Sequence, residues 1–521
     1  MPMWTCDFAE CNSAAVRGQG DCVLCNRHLC SRHLQSEAHT CPRFEDVDAY
    51  FPAAASAESR ELRALVSKIN IPALTSRAST LRGGMPCSAR LDPDPSAVGN
   101  GGRLLMGGMN YHIPLVFSDG TEWLARVRRG ASGASAKAPP RELRDHILLS
   151  EVATLRLLAR TTVPTPRVHD FALEDSPAGR DVGVGYILTE KLPGSPLDPG
   201  WNDSECTTAE QKERVLDQLA DVHSPPREGD VDNDSNNIVV GPFARESETD
   251  FVIGPTNEMR PLGPFQSWEE YRRSSLNLTL DLILRGELYC TTTCAVDAYL
   301  IHRYLIDLLP LVVASSPPPS LDPTTSHTAH PSEAEQKRRG GQQEKENEND
   351  ERGGDSGQKQ KQKQNNFFYL THADAKGDHI LVDSSYTITG ILDWEWSYTA
   401  PAEHAFNSPI ALLPIGDFYA GVNSISDDES LFARLLEEKK GRPDLAQCVR
   451  NGRVQHRFDF CCGHSLEDWD GFLGLFKGLR DAVKVGQKLD WESWKSAALG
   501  RYKEDAGLQV LLGRQESRSG A

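Results

Sequence analysis

Apolar positions along this chain fall into helical and strand periods in a definite order. Leu62, Leu65, Val66 and Ile69 are spaced i, i+3, i+4, i+7, which predicts a helix over 59–69 that Pro72 ends. Residues 44–58 read as a linker before it. A second helix is expected over 74–81, stopping at Gly83 and Gly84. Residues 109–117 and 121–127 then read as strands joined by the turn Ser118-Asp119-Gly120. A helix over 147–158 follows, then a strand over 185–190 that leaves through the turn 191–194. Helices are expected at 211–223, 268–285 and 296–311, with 251–265 an irregular polar loop between the first two. After a returning strand-and-turn segment at 369–395, the last helices are placed at 428–439, 466–485 and 490–504. This order puts a small sheet before a mainly helical region.

One stretch breaks every period. Residues 314–366 contain PPP, GG, EKENEND and KQKQKQNN, too polar and repetitive to bury a core. They read as a disordered insertion, a surface spacer just before the segment at 369–395. Residues 506–521 read as a flexible tail.

Composition narrows the class. Of 521 residues, 39% are hydrophobic and 25% charged, the usage of an ordinary globular chain. A net charge of −18 argues against a general binder of nucleic acid or anionic membrane. No run of 18 apolar residues is present, and the opening MPMWTCDFAECN has no signal-peptide core. The expectation is a cytoplasmic or nuclear protein that partners neither membrane nor nucleic acid.

Six of the 13 cysteines lie within the first 41 residues. In a reducing compartment such clustering indicates metal. The spacing C-x4-C-x10-C-x2-C-x4-C-x2-H-x5-H-x-C supplies eight ligands, enough for two tetrahedral zinc ions. Close pairs wrap one metal and the long gap interleaves the two sites. Cys6, Cys11, Cys30 and His33 are therefore assigned to one zinc, and Cys22, Cys25, His39 and Cys41 to the other. His28 is left over. This segment resembles the AN-one-type zinc finger, with a first gap wider than usual. The resemblance implies a module that contacts a protein partner. Cys461, Cys462 and His464 lack a fourth ligand and read as core.

The candidate chemistry lies in 369–395, YLTHADAKGDHILVDSSYTITGILDWE. A polar loop carries His372, Asp374, Lys376 and His379, and a hairpin then delivers Asp393. Phosphoryl transfer needs a carboxylate to take a hydroxyl proton, a cation near the transferring group, and a carboxylate for magnesium. Upstream, Arg126 is a charge inside an apolar strand and needs a partner, for which Glu151 on the next helix is the candidate. Gly107 and Gly108 would let backbone amides approach phosphates. Glu190 to Leu192 lie where a strand leaves the sheet.

From about residue 62 to 504 the chain resembles the aminoglycoside-phosphotransferase and choline-kinase-like family, in its fungal form, on the blocks GGMNYHIPLVFSDGTEWLARVRR, YILTEKLPG, LTHADAKGDHILVD and ITGILDWEWSYTAPAE. The resemblance implies an α+β, two-lobed protein-kinase-like fold. Its parts would be the finger at 1–45, a linker and helices at 46–100, a nucleotide-binding lobe at 101–192, and a helical lobe at 193–313 and 367–505. It implies ATP and magnesium as cofactors and a small-molecule hydroxyl as substrate. Asp374 matches the catalytic base, with Lys376 and His372 beside it, and Asp393 matches the magnesium aspartate. Arg126 stands where the phosphate-clamping lysine stands, Glu151 is its partner, and Glu190 and Leu192 belong to the adenine-binding hinge. Two positions depart from the pattern. Arginine is bulkier than lysine, and His379 replaces an asparagine, offering nitrogen where magnesium prefers oxygen. Those departures sustain an alternative, a pseudokinase-like scaffold whose finger is the working module. The acidic balance suits a cationic amino-alcohol or aminoglycoside, with Glu395, Glu403 and Asp468 as candidate carboxylates.

Overall fold

A computed structural model describes residues 2–18, 20–89, 108–130, 139–197, 201, 206–224, 239–247, 249–254, 258–289, 295–315, 368–466, 468–485 and 489–519. Gly107 and residues 316–366 of the expected insertion lie outside them. Near the N-terminus β1 (Asp21–Cys22) and β2 (Arg27–His28) form an antiparallel pair. So short a piece has little core of its own. Trp4 stacks on His28 and Phe8 on His33, each with ring centroids 4.0 Å apart. Arg17 ties the piece to the body of the protein. Its Nε lies 3.1 Å from Glu287 Oε2, both side chains are 1% exposed, and its N–H donates to the Glu287 carbonyl at 2.8 Å. Met3 packs with Leu143, Ile147, Ala244 and Phe251.

Residues 44–58 are not a linker throughout. Asp46 accepts a hydrogen bond from the Ala49 N–H and caps α1 (Val47–Val66). The alanines of this segment favour helix without making an apolar stripe, and Pro52 interrupts the pattern. The lobe continues through α2 (Ile71–Leu81), β3 (Cys87–Ala89), β4 (Asn110–Phe117), β5 (Glu122–Arg128), α3 (Arg141–Leu158), β6 (Val168–Ala172), α4 (Pro177–Val182) and β7 (Tyr186–Glu190). The five strands form one antiparallel sheet in the order β3-β4-β5-β7-β6. Strand periodicity sorts its faces. Ile113, Leu115, Trp123, Ala125 and Val127 pack in one cluster with Leu62 and Leu74 of the first two helices. Arg126 and Arg128 alternate with that set and occupy the opposite face.

The second lobe begins with β8 (Ser195–Pro196) and α5 (Ala209–Val222). The supposed irregular loop contains an antiparallel hairpin, β9 (Phe251–Ile253) with β10 (Met259–Pro261). Then come α6 (Trp268–Arg285), α7 (Ala295–Ala314), β11 (Tyr369–Thr371), β12 (Ile380–Val382), β13 (Ile388–Ile391), β14 (Tyr398–Ala400), α8 (Ala402–Ala405), α9 (Ile415–Tyr419), α10 (Asp427–Glu438), α11 (Pro443–Asn451), α12 (Arg453–Gly463), α13 (Trp469–Ala482), α14 (Trp491–Arg501) and α15 (Ala506–Ser519). The last element overturns the expected flexible tail at 506–521. Leu508 and Leu511 are buried against the cluster built by α6 and α7. Burial of two leucines is worth about 4 kcal/mol, enough to hold a short helix in place. Cys461 sits in the same cluster, as expected of a core residue. The described residues thus form a two-lobed α+β arrangement, sheet-rich first and helical second. Among them no helix is long and apolar enough to cross a membrane.

Candidate active site and metal clusters

The candidate segment at 369–395 is shaped by two strand pairs. β11 pairs antiparallel with β14, and β12 with β13 in the register Ile380↔Ile391. The second pairing returns the chain beside the loop that precedes it, and the Leu392 N–H donates to the His379 carbonyl at 2.8 Å. Gly377 lies in the loop where a Cβ would sit 2.9 Å from Trp201 Nε1, so any side chain there forces the loop off the buried Trp201. Gly390 likewise lets Leu192 lie against β13, because a Cβ would meet Leu192 Cδ1 at 2.5 Å.

His372 bridges loop and hairpin. The Asp374 N–H donates to its Nδ1 at 3.1 Å, so the proton sits on Nε2, which lies 2.8 Å from the Leu392 carbonyl. Burial lowers its pKa and keeps it in that neutral form. The edge of the His372 ring meets buried Trp394 with centroids 4.8 Å apart. It is a positioning residue for Asp374 and for the turn that carries Asp393.

His379 stands between the two aspartates. Its Nε2 is 3.3 Å from Asp374 Oδ2 and its Nδ1 is 3.8 Å from Asp393 Oδ2. Burial alone would lower its pKa, but the bond to Asp374 and the charges of Asp393 and Asp378 outweigh that and raise it. Burial likewise raises Asp374, yet His379 and Lys376, whose Nζ is 2.8 Å away, pull it down to about 2. Asp374 is therefore ionised and held from two sides. Lys376 is 59% exposed, at the open side of the loop. Asp393 has φ 64°, in the left-handed region that costs a non-glycine residue free energy and that aspartate tolerates better than most.

The sequence-predicted partner of Arg126 is the observed one, and it is not alone. Arg126 is ion-paired to Glu151, and its Nη2 lies 3.1 Å from both Asp393 Oδ1 and Glu395 Oε2. Two residues along the same face of β5, Arg128 Nη1 donates to Glu395 at 2.5 Å, and Asn110 Nδ2 donates to Glu395 at 3.1 Å. Arg128 also pairs with Glu246. Arg128, Asn110 and Glu395 were not singled out for this network. The available signal was the Arg-x-Arg alternation within an otherwise apolar strand. Glu395 is 5% exposed beneath two guanidiniums and does not serve as a free carboxylate for a cation. Asp468 is spent capping α13, accepting from the Gly471 N–H. At the strand exit, the N–H groups of Glu190 and Lys191 donate to the carbonyls of Arg167 and Glu122. The Glu190 carboxylate accepts from the Arg167 N–H. Gly108 meets nothing within 4 Å of a notional Cβ, so no close approach is imposed on it.

The eight candidate ligands fall into the two expected groups, Cys6, Cys11, Cys30 and His33, and Cys22, Cys25, His39 and Cys41, each with its possible ligand atoms within 4.8 Å of one another. Cys11 Sγ to Cys30 Sγ is 3.9 Å, Cys6 Sγ to His33 Nδ1 is 3.3 Å, and Cys25 Sγ to His39 Nε2 is 3.6 Å. A tetrahedron with metal–sulfur bonds of about 2.3 Å has edges of about 3.7 Å, so these spacings can hold a metal ion. Burial and the charges of Arg27 and Arg43 lower the His39 pKa, favouring the neutral form that ligates. His28 is outside both groups, buried and bonded to Asp21.

Residues 117–258 match the model of the phosphotransferase enzyme family. A search of curated proteins finds no match. Among solved structures, the chain is similar to an ethanolamine kinase of Plasmodium vivax at 12% identity, over 76% of this chain and 80% of that one, with a TM-score of 0.35. It is similar to a macrolide 2'-phosphotransferase of Brachybacterium faecium at 14%, over 80% and 98%, with a TM-score of 0.32. A putative fructosamine-3-kinase of Thermobifida fusca gives 13%, 80% and 100%, with a TM-score of 0.38. The family match starts at the last residue of β4, includes Arg126 and Glu151, and runs on into the second lobe as far as the residues after β9.

Proposed function

We propose that the protein is an ATP- and magnesium-dependent phosphotransferase that acts on a hydroxyl of a small molecule and carries a two-zinc finger as a protein-contact module. The observation that supports this most is the convergence of Asp374 and Asp393 on one imidazole, with Arg126 joining Asp393 to Glu151. When bound, magnesium-ATP supplies the phosphoryl group and the cation that offsets its charge. Asp374 accepts the proton of the attacking hydroxyl, and His372 fixes its backbone. Lys376 contributes positive charge beside it. Asp393 offers the hard oxygen that magnesium prefers, whereas His379 offers nitrogen. Arg126 leans on Glu151 and contacts phosphate, and Gly107 and Gly108 are assigned from the sequence to the same phosphates. The backbone at Glu190 and Leu192 receives adenine, the Leu192 N–H being the donor that Glu190 and Lys191 leave over.

A second reading is favoured by His379 itself. An imidazolium between two carboxylates satisfies both without a metal, as a scaffold would require. Thermal shift separates the two. Stabilisation by ATP that needs magnesium supports the enzyme; stabilisation without magnesium, or none, supports the scaffold.

A further inference from the structure

Away from the Asp374–Asp393 pair lies a cavity of about 730 Å³, between the outer face of α3, the start of α6 and the β11–β14 pair. The chain is acidic, but this wall is not. Arg156, Arg160, Arg245 and Arg272 line it against one lining carboxylate, Asp459. Asp459 is already spent, on Arg272 Nη2 at 2.5 Å and on His404 Nδ1 at 3.3 Å. Behind Arg245, Asp250 lies 2.8 Å from Nη2. Four guanidiniums thus face two carboxylates, and a net positive charge remains. Arg245 also donates to the Tyr271 hydroxyl at 2.8 Å, and the buried Nε–H groups of Arg245 and Arg272 have no acceptor, so the protein leaves neither guanidinium fully satisfied.

The aromatic residues of the wall would ordinarily welcome a cation. Four of them, Phe243, Trp268, Tyr271 and Tyr398, already hold a guanidinium. The Arg245 guanidinium lies 4.2 Å from the Phe243 ring centroid and 5.1 Å from that of Tyr398. The Arg272 guanidinium lies 4.8 Å from Tyr271 and 5.7 Å from Trp268. An incoming cation would find these four rings already stacked on guanidiniums and would meet two like charges. An anion would find two guanidiniums held in place by stacking, with Leu149, Leu157, Phe265 and Leu370 to cover an apolar body.

We infer that this cavity binds a small organic acid, an apolar body bearing a carboxylate or a phosphate. This does not depend on the phosphotransferase reading. The test is isothermal titration of the full zinc-loaded chain with four probes of similar size: benzoate, phenyl phosphate, benzyl alcohol and phenyltrimethylammonium. The expected result is that at least one of the two anions binds ten-fold or more tighter than the alcohol and the cation. Tighter benzoate assigns a carboxylate ligand, and tighter phenyl phosphate a phosphate ligand. Arg245→Gln should remove the preference. Because Arg245 supports Asp250, Ala153→Trp serves as an independent variant. Ala153 is exposed on α3 and lines the cavity, so a tryptophan there fills it without touching an ion pair. Anion affinity should fall at least ten-fold. Failure of both anions to bind, equal or tighter binding of the cation, or unchanged anion affinity in Ala153→Trp would overturn the inference.

Discussion

Arg17→Met tests whether the N-terminal piece with the two Cys/His clusters is docked onto the body of the protein. Arg17 and Glu287 are each 1% exposed and 3.1 Å apart, so removing the cation leaves a carboxylate in a site with little water. Breaking such a pair costs about 3–5 kcal/mol. The low end applies, because Arg285 Nη1 remains 3.4 Å from Glu287 and the Met3 N–H remains 3.3 Å away. A loss of about 3 kcal/mol raises the population of the opened piece roughly 100-fold. The assay is hydrogen exchange by mass spectrometry on the zinc-loaded protein, read on peptides covering residues 2–42. Their exchange should accelerate by about two orders of magnitude while α7 is unchanged. Arg17→Met combined with Glu287→Gln should recover much of the loss, since the stranded charge is gone. Exchange within three-fold of the wild type would refute docking through this pair.

Two further predictions concern other sites. His379→Asn replaces a nitrogen with a hard oxygen beside Asp393, so the magnesium concentration that half-saturates ATP-dependent thermal stabilisation should drop about ten-fold or more; an unchanged or higher midpoint would show that His379 does not limit metal binding. Burial lowers the pKa of His302 to about 4 and of His456 to about 3. The unfolded chain takes up these protons below about pH 6.5 and the folded one does not. Stability is therefore full above that pH and declines as pH falls toward 4, by up to about 3 kcal/mol from His302 alone. Urea titrations of wild type and His302→Phe across pH 4–7 should show a shallower decline in the variant, and parallel curves would remove His302 from the account.

Local chemistry decided which elements could be read from the sequence. α6 matches its expected span because Ser267 caps it, two glutamates fill its first turn and Gly286 ends it at φ 73°. The strands β4 and β5 were readable because one face alternates cleanly into the core. The two Cys/His clusters were readable because only Cys and His could serve, at spacings that leave few groupings. α1 was missed over its first half, where alanines and Pro52 make no stripe. α11 and α12 were missed because α11 offers only nine residues to a periodic pattern and α12 buries Arg453, Gln455 and Arg457 among its apolar positions. The network on Arg126 and Glu395 joins residues 267 positions apart in sequence, beyond any local pattern. The basic cavity wall could not be read from overall composition. The net charge describes the solvated surface, whereas Arg245 and Arg272 were gathered by folding.

The central claim is that Asp374 takes the proton of a hydroxyl that receives phosphate. Its most direct measurement is transfer of the γ-phosphate of ATP, with magnesium, to a panel of hydroxylated small molecules by the full zinc-loaded chain and by Asp374→Asn. The account predicts transfer to at least one acceptor by the wild type and a rate lower by about 10²–10⁴ in the variant, with ATP binding retained. No transfer by the wild type to any acceptor, or equal rates in the two proteins, would contradict it.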